Sequence, residues 1–277
     1  MSLEAPYPEL SDLMEAMGEA GARVAAIDAS EGAAGNLSIA LGWPVDPRRH
    51  FPLGEPFALP DPVPALAGML VLVTGSGRRL RDIHRDPTGN LAALRIGPDG
   101  TRAELFTSPR RLFARPTSEL NSHLATHNDQ LARDGGNVSA LLHAQPPHIT
   151  YLSHLPAFAD EATVNQRLLR WEPETLVNLP EGIGVLPYVL PGSARLMTLT
   201  VESLRAHRLV LWRKHGVMAR SELSITRAAD RIEYVETAAR YEYMDLLAGG
   251  RAEGLSVDDL REIVRVYDVP TTIAAYR

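Results

Sequence analysis

The chain has 277 residues, no cysteine, a net charge of −6 and a pI near 5.9, with 45% apolar and 22% charged residues. Without cysteine there are no disulfides, thiolate metal sites or thiol nucleophiles, and without a basic stripe double-stranded nucleic acid is excluded as a partner. No apolar run approaches the ~20 residues that span a bilayer, and the opening MSLEAPYPELSD has no leader pattern, so a cytoplasmic protein without membrane contact is expected.

From the N-terminus, apolar residues at Leu10, Leu13, Met14, Met17 and Val24 predict an amphipathic helix over 8–26. NLSIAL (36–41) reads as a strand. Residues 42–66 hold seven prolines and read as an irregular surface excursion. The apolar run Met69 to Val73 predicts a buried strand feeding the turn Thr74-Gly75-Ser76-Gly77. Leu91 to Ile96 and Ala103 to Phe106, split by Gly97-Pro98-Asp99-Gly100, read as a hairpin. Thr117 is the expected N-cap of a helix from Ser118 to about Ala132. Short strands follow at 138–142, 185–189 and 209–212, with helices at 193–207 and 224–247. This mixture lacks a regular βαβ rhythm, so a mixed or antiparallel sheet covered by helices is expected, as one domain spanning 1–277.

Two of the nine histidines, His143 and His215, each end an apolar run and precede a loop. Imidazoles held at strand ends suit a divalent metal, with Glu119 in RPTSEL as a nearby carboxylate. His123 and His127, four apart on the predicted helix after Glu119, form a rival pair. A role supporting Glu119 is the preferred reading for them, because no HExxH pattern accompanies them. The turn at 74–77 is neither a phosphate-binding lysine loop nor a dinucleotide fingerprint. Its hydroxyls at Thr74 and Ser76, with Arg78 or Arg79, are nevertheless suited to a monophosphate. The PTSE segment reads equally as a plain helix start and as an anion site made of free N–H groups and two hydroxyls.

In order along the chain, AAGNLS, LVTGSGRRLRDI, PTSELNSH, LLHAQP, LPEGIGVLPYVLPG and HRLVLWRKHGV resemble the class II aldolase/adducin family nearly end to end. The resemblance implies an α/β fold of the α+β type, a central, mainly antiparallel sheet between helical layers, and a homotetramer with sites at subunit interfaces. By position it makes His143 and His215 zinc ligands and Glu119 the acid/base. It assigns Asn36, Ser76, Thr117 and Ser118 to a substrate phosphate, with Thr74, Gly75 and Gly77 shaping that pocket. It also makes Glu174 a second carboxylate lent to a neighbouring subunit.

One position departs from the family. Gln145 stands where a further zinc histidine is usual, so either its amide oxygen or His148 is the expected third ligand, or the metal site is degraded. The GIGVLPYVLPG and LVLWRKHGV segments point within the family toward enzymes of L-rhamnulose 1-phosphate. Cleavage to dihydroxyacetone phosphate and L-lactaldehyde is then the implied reaction, with zinc or another divalent ion as cofactor and no lysine Schiff base. The alternatives are another sugar-phosphate aldolase or epimerase, and a non-catalytic adducin-like interaction domain.

Overall fold

A computed structural model describes residues 2–277. It opens with helix α1 (Leu10–Ala26), whose start is fixed by a reciprocal capping box between Glu9 and Asp12. Strands β1 (Asn36–Leu41), β2 (Leu53–Ala58) and β3 (Leu70–Thr74) follow, then the short helix α2 (Pro87–Asn90) and the hairpin β4 (Leu91–Ile96) and β5 (Arg102–Thr107). Helix α3 (Leu120–Asp134) leads into β6 (Val138–Ala144), and three short helices come next: α4 (Pro147–Leu152), α5 (Glu161–Leu168) and α6 (Pro173–Asn178). Strand β7 (Gly184–Leu186), helix α7 (Ala194–Ala206), the hairpin β8 (Leu209–Trp212) and β9 (Gly216–Ser221), and helices α8 (Ile225–Leu247) and α9 (Val257–Val266) complete the chain.

The nine strands form one sheet in the order β2-β5-β4-β3-β1-β6-β9-β8-β7. Every pairing is antiparallel except β7 with β8. The expected architecture is therefore found, with helices on both faces. That double covering is why β1, β3 and β6 are buried along their whole length and read as continuous apolar runs.

Alternation along the central strands sorts side chains between two layers. Leu37, Ile39 and Leu41 of β1 join Ala140 and Leu142 of β6 in a core under α1 and α8. Each fully buried leucine there contributes about 1.5–3 kcal/mol. On the other face, Asn36, Ser38 and Ala40 of β1 lie beside α3, and Leu141 packs with Leu196 and Leu204 of α7. Polar and apolar residues therefore share that second face, and the polar ones cluster where β1, β6 and α3 meet.

Some expectations need correction. The proline-rich stretch holds a strand, β2, because an edge position leaves Pro56 with no ladder hydrogen bond to supply on its solvent side. Helix α3 starts at Leu120, two residues late: Thr117 receives the Glu119 N–H at 3.3 Å and holds a turn ahead of the helix.

Candidate active site

Four segments meet at one end of the central strands. Residues 33–35 lead into β1, and Asn36, its first residue, lies opposite His143 on β6. Gly35 has φ of +85°, and a Cβ there would come within 2.7 Å of the His143 carbonyl oxygen, so only glycine lets this loop lie against β6. The loop after β3 is fastened to the segment before α3 by a bridge between Gly75 and Pro116. The Ser76 N–H also donates to the Arg115 carbonyl at 2.8 Å, and the Thr117 N–H to the Thr74 carbonyl at 3.0 Å.

The result is a cavity of about 190 Å³ lined by Ala33 to Asn36, Gly75 to Gly77, Thr117 to Glu119, His143, Gln145, Pro191 and His215. The segment leading into α3 lines it, which brings the positive end of the helix dipole toward the wall.

Its floor is the trio of buried Glu119 and His143 and half-buried His215, whose ligand atoms all lie within 4.8 Å of one another. His143 Nε2 is 3.6 Å from one Glu119 oxygen, and His215 Nε2 is 3.8 Å from the other. Both separations are too long for hydrogen bonds. His143 is held by Nδ1–H donating to the Val217 carbonyl at 2.8 Å, which turns Nε2 toward the carboxylate. Burial, aided by neighbouring His143 and opposed by Glu119, pushes His215 down to about 4, so its ring is neutral near pH 7. Its Nδ1 has no partner.

Trp212 packs against both imidazoles, with ring centroids 4.7 Å from His143 and 5.1 Å from His215, and so restricts their tilt. Two imidazoles and a carboxylate converging without good mutual hydrogen bonds fit a divalent ion.

Most of the residues singled out in the sequence come together here. Asn36, Gly75, Ser76, Gly77, Thr117, Ser118, Glu119, His143, Gln145 and His215 all line the cavity. Gln145 follows the last residue of β6, and residues two apart on a strand share a face, which carries it to the same side as His143. Thr74 sits behind the wall, where its hydroxyl oxygen accepts the Leu37 N–H at 3.2 Å.

Others are placed elsewhere. His148 pairs through Nδ1 with Glu236 on α8 at 2.5 Å and does not line the cavity. Glu174 is exposed on α6 and outside the cavity. Arg78 turns away to Asn90 and the Leu112 carbonyl, and exposed Arg79 is not in the wall, so neither brings charge to an anion there. His123 and His127 are wholly buried behind Glu119 and lie outside the trio. Sequence reasoning missed Trp212 and Pro191. The first was legible only as a strand residue, and the second lies in a loop whose approach to the cavity is tertiary: the Asn121 amide donates to the Gly192 carbonyl at 3.1 Å.

Residues 15–243 match the Class II Aldolase and Adducin N-terminal domain. The chain belongs to the class II aldolase and adducin family. It is 31% identical over 244 residues to the rhamnulose-1-phosphate aldolase of Yersinia pseudotuberculosis, covering 87% of this chain and 88% of that one. With the enzyme of that name from Bacteroides thetaiotaomicron it shares 29% over 238 residues, 85% and 87% of the two chains. Among solved structures it is similar to a sugar-phosphate aldolase from Thermotoga maritima, with a TM-score of 0.75, 26% identity, and 88% and 98% of the two chains covered. Class II aldolases use a divalent metal, and Glu119, His143 and His215 form a group able to hold one. With aldolases as its relatives along most of its length, this family member is an enzyme of the aldolase class, a lyase. No helix among the described residues is long and apolar enough to cross a membrane.

Proposed function

We propose that this aldolase reversibly cleaves a ketose 1-phosphate, L-rhamnulose 1-phosphate foremost, to dihydroxyacetone phosphate and L-lactaldehyde. One observation carries the proposal: a buried carboxylate and two imidazoles form the floor of a small cavity whose wall is a helix N-terminus beside a glycine-rich loop. The relatives named for rhamnulose 1-phosphate support the choice of sugar.

In this reading His143, His215 and Glu119 hold zinc or another divalent ion, with the Gln145 amide oxygen as a further ligand. When bound, such an ion supplies Lewis-acid polarisation of the ketone oxygen. Asn36, Ser76, Thr117 and Ser118 hold the phosphate near the positive end of α3, which fixes the sugar for reaction and removes part of the entropic barrier. Glu119, ionised at rest, takes up a proton from the cavity side once substrate is bound and delivers it to C3 as the C3–C4 bond breaks.

Glu174 of a neighbouring subunit takes the C4 hydroxyl proton, and the assembly is a homotetramer with interfacial sites. Exposed Tyr188 and Leu190, close in sequence to Pro191 in the cavity wall, support a contact at this rim. The whole chain acts as one domain in the cytoplasm.

The test is a coupled assay of dihydroxyacetone phosphate release from L-rhamnulose 1-phosphate, alongside the metal content of the purified protein. Near-stoichiometric zinc and chelator-sensitive release are expected, and Glu119→Ala should lower turnover by about 10²–10⁴-fold. No release after metal is restored would refute the proposal. An epimer formed without aldehyde would reassign the chemistry.

A further inference from the structure

Behind the cavity runs a chain of polar side chains that the proposed reaction does not use. Ser139 of β6 meets His127 Nδ1 at 2.8 Å, and His127 Nε2 meets Ser38 Oγ at 2.7 Å. Ser38 Oγ meets His123 Nδ1 at 2.6 Å, and His123 Nε2 meets Asn36 Oδ1. The Asn36 amide then donates to Glu119 Oε2 at 2.8 Å. Ser38, His123 and His127 have no solvent exposure, and the other three residues are buried. We infer that His123, Ser38, His127 and Ser139 are positioning residues, which act through Asn36 to hold the Glu119 carboxylate in one orientation.

The chemistry of each group gives the chain a single direction. An ionised carboxylate only accepts, so Asn36 must turn its nitrogen to Glu119 and its oxygen to His123. His123 must then carry its proton on Nε2, and its bare Nδ1 accepts the one hydroxyl proton of Ser38. The Ser38 oxygen in turn accepts from His127 Nε2–H, and His127 Nδ1 accepts from Ser139. Every link is satisfied in this arrangement and in no other that keeps Glu119 ionised and both rings neutral. Burial independently keeps both rings neutral, pushing His123 well down and His127 to about 3.

The amide in the last link limits what the chain can do. A carboxamide orients its partners but relays a proton only through an unfavourable imidic form. The chain therefore transmits orientation, and Glu119 exchanges its proton on the cavity side.

Packing needs alone do not account for the two imidazoles. Leu120, Leu124 and Leu131 of the same helix fill the neighbouring core with hydrocarbon. Burying two ionisable rings costs stability that leucine would not. A fixed acid/base is the return for that cost, because small misplacements of a reacting group lower rates steeply.

The inference rests on the acid/base role proposed for Glu119, and two variants of the metal-loaded enzyme test it. His123→Leu leaves the Asn36 oxygen without its donor. His123→Gln puts an amide N–H near the position of Nε2. Expected for His123→Leu, assayed at saturating zinc, is a fall in kcat of about tenfold or more with KM within about twofold of wild type. His123→Gln should recover most of the kcat. Equal loss in both variants or an unchanged kcat in His123→Leu would overturn the inference.

Crystal structures of wild type and His123→Leu supply a readout that needs no turnover. Glu119 should lie on Asn36 in the first and leave it in the second, and an unmoved carboxylate would overturn the inference. A wild type that cleaves no ketose 1-phosphate would instead defeat the functional proposal, while the crystal comparison still decides whether the chain positions Glu119.

Discussion

Two neutral histidines in the core should make this protein sensitive to mild acid. His127 is wholly buried between Ser38 and Ser139, and burial drives it from its ordinary 6.5 to about 3. In the unfolded chain the same ring takes up a proton below about pH 6.5. Between these two values the unfolded state binds more protons, so stability falls as pH falls, by about 1.4 kcal/mol per pH unit. From about pH 7.5 to about pH 5 the loss through His127 alone is about 2 kcal/mol. His123, lowered by burial and by His127 and His143, adds to it in the same direction. The assay is urea unfolding of the metal-free protein at both pH values, for wild type and for His127→Phe. The variant should be weaker at both values, since Ser38 and Ser139 lose a partner at a cost of about 1–3 kcal/mol. Its loss between the two pH values should nevertheless be about 2 kcal/mol smaller than that of wild type. Parallel losses in the two proteins would mean that His127 is not held neutral, and the directional chain would have no basis.

Three further outcomes are expected. Gly75→Ala would place a Cβ 2.2 Å from the Phe113 ring, so it should cost about 1–3 kcal/mol and raise KM for the phosphorylated substrate by disturbing Ser76, as thermal melts and kinetics will read. Gln145→His replaces an amide oxygen with imidazole at the cavity wall and should tighten metal binding, measured by competition with a chromophoric chelator. In ¹⁵N spectra of wild-type protein near neutral pH, His123 and His127 should both appear as neutral rings protonated on Nε2; a ring protonated on Nδ1 would contradict the chain's direction.

The sheet was legible where strands are buried on both faces. NLSIAL at 36–41 and LVLW at 209–212 coincide with β1 and β8, because double burial writes an unbroken apolar run. β2 escaped because an exposed edge strand needs no such run and tolerates Pro56. β9 escaped because Gly216 directly follows His215 and reads as part of a turn. Helices α4 to α6 are too short, at six to eight residues, for helical periodicity to develop.

In the site, His143 at the end of β6 and Glu119 at the start of α3 were legible from local signatures. His215, expected at a strand end before a loop, lies instead in the tight turn between β8 and β9, because the chain re-enters the sheet at Gly216. The convergence of the three was not legible, because it depends on the register that puts Asn36 opposite His143. The i,i+4 spacing of His123 and His127 showed that they share a face of α3 but not what that face meets. Ser38 and Ser139, on two strands, decide that.

The cavity has two kinds of wall with different freedom to change over evolutionary time. Glu119, His143 and Asn36 stand on or beside long elements of the sheet and α3, so substitutions around them propagate through packed layers. Pro191 belongs instead to the connection 187–193, which leaves a three-residue strand at the sheet edge, carries exposed Tyr188 and Leu190, and is tied to α3 through Asn121 and Gly192. Lineages could lengthen or recolour that connection without moving the reacting groups. A change of preferred aldehyde among descendants of this enzyme should therefore be sought in 187–193 first, with the chemistry left as it stands.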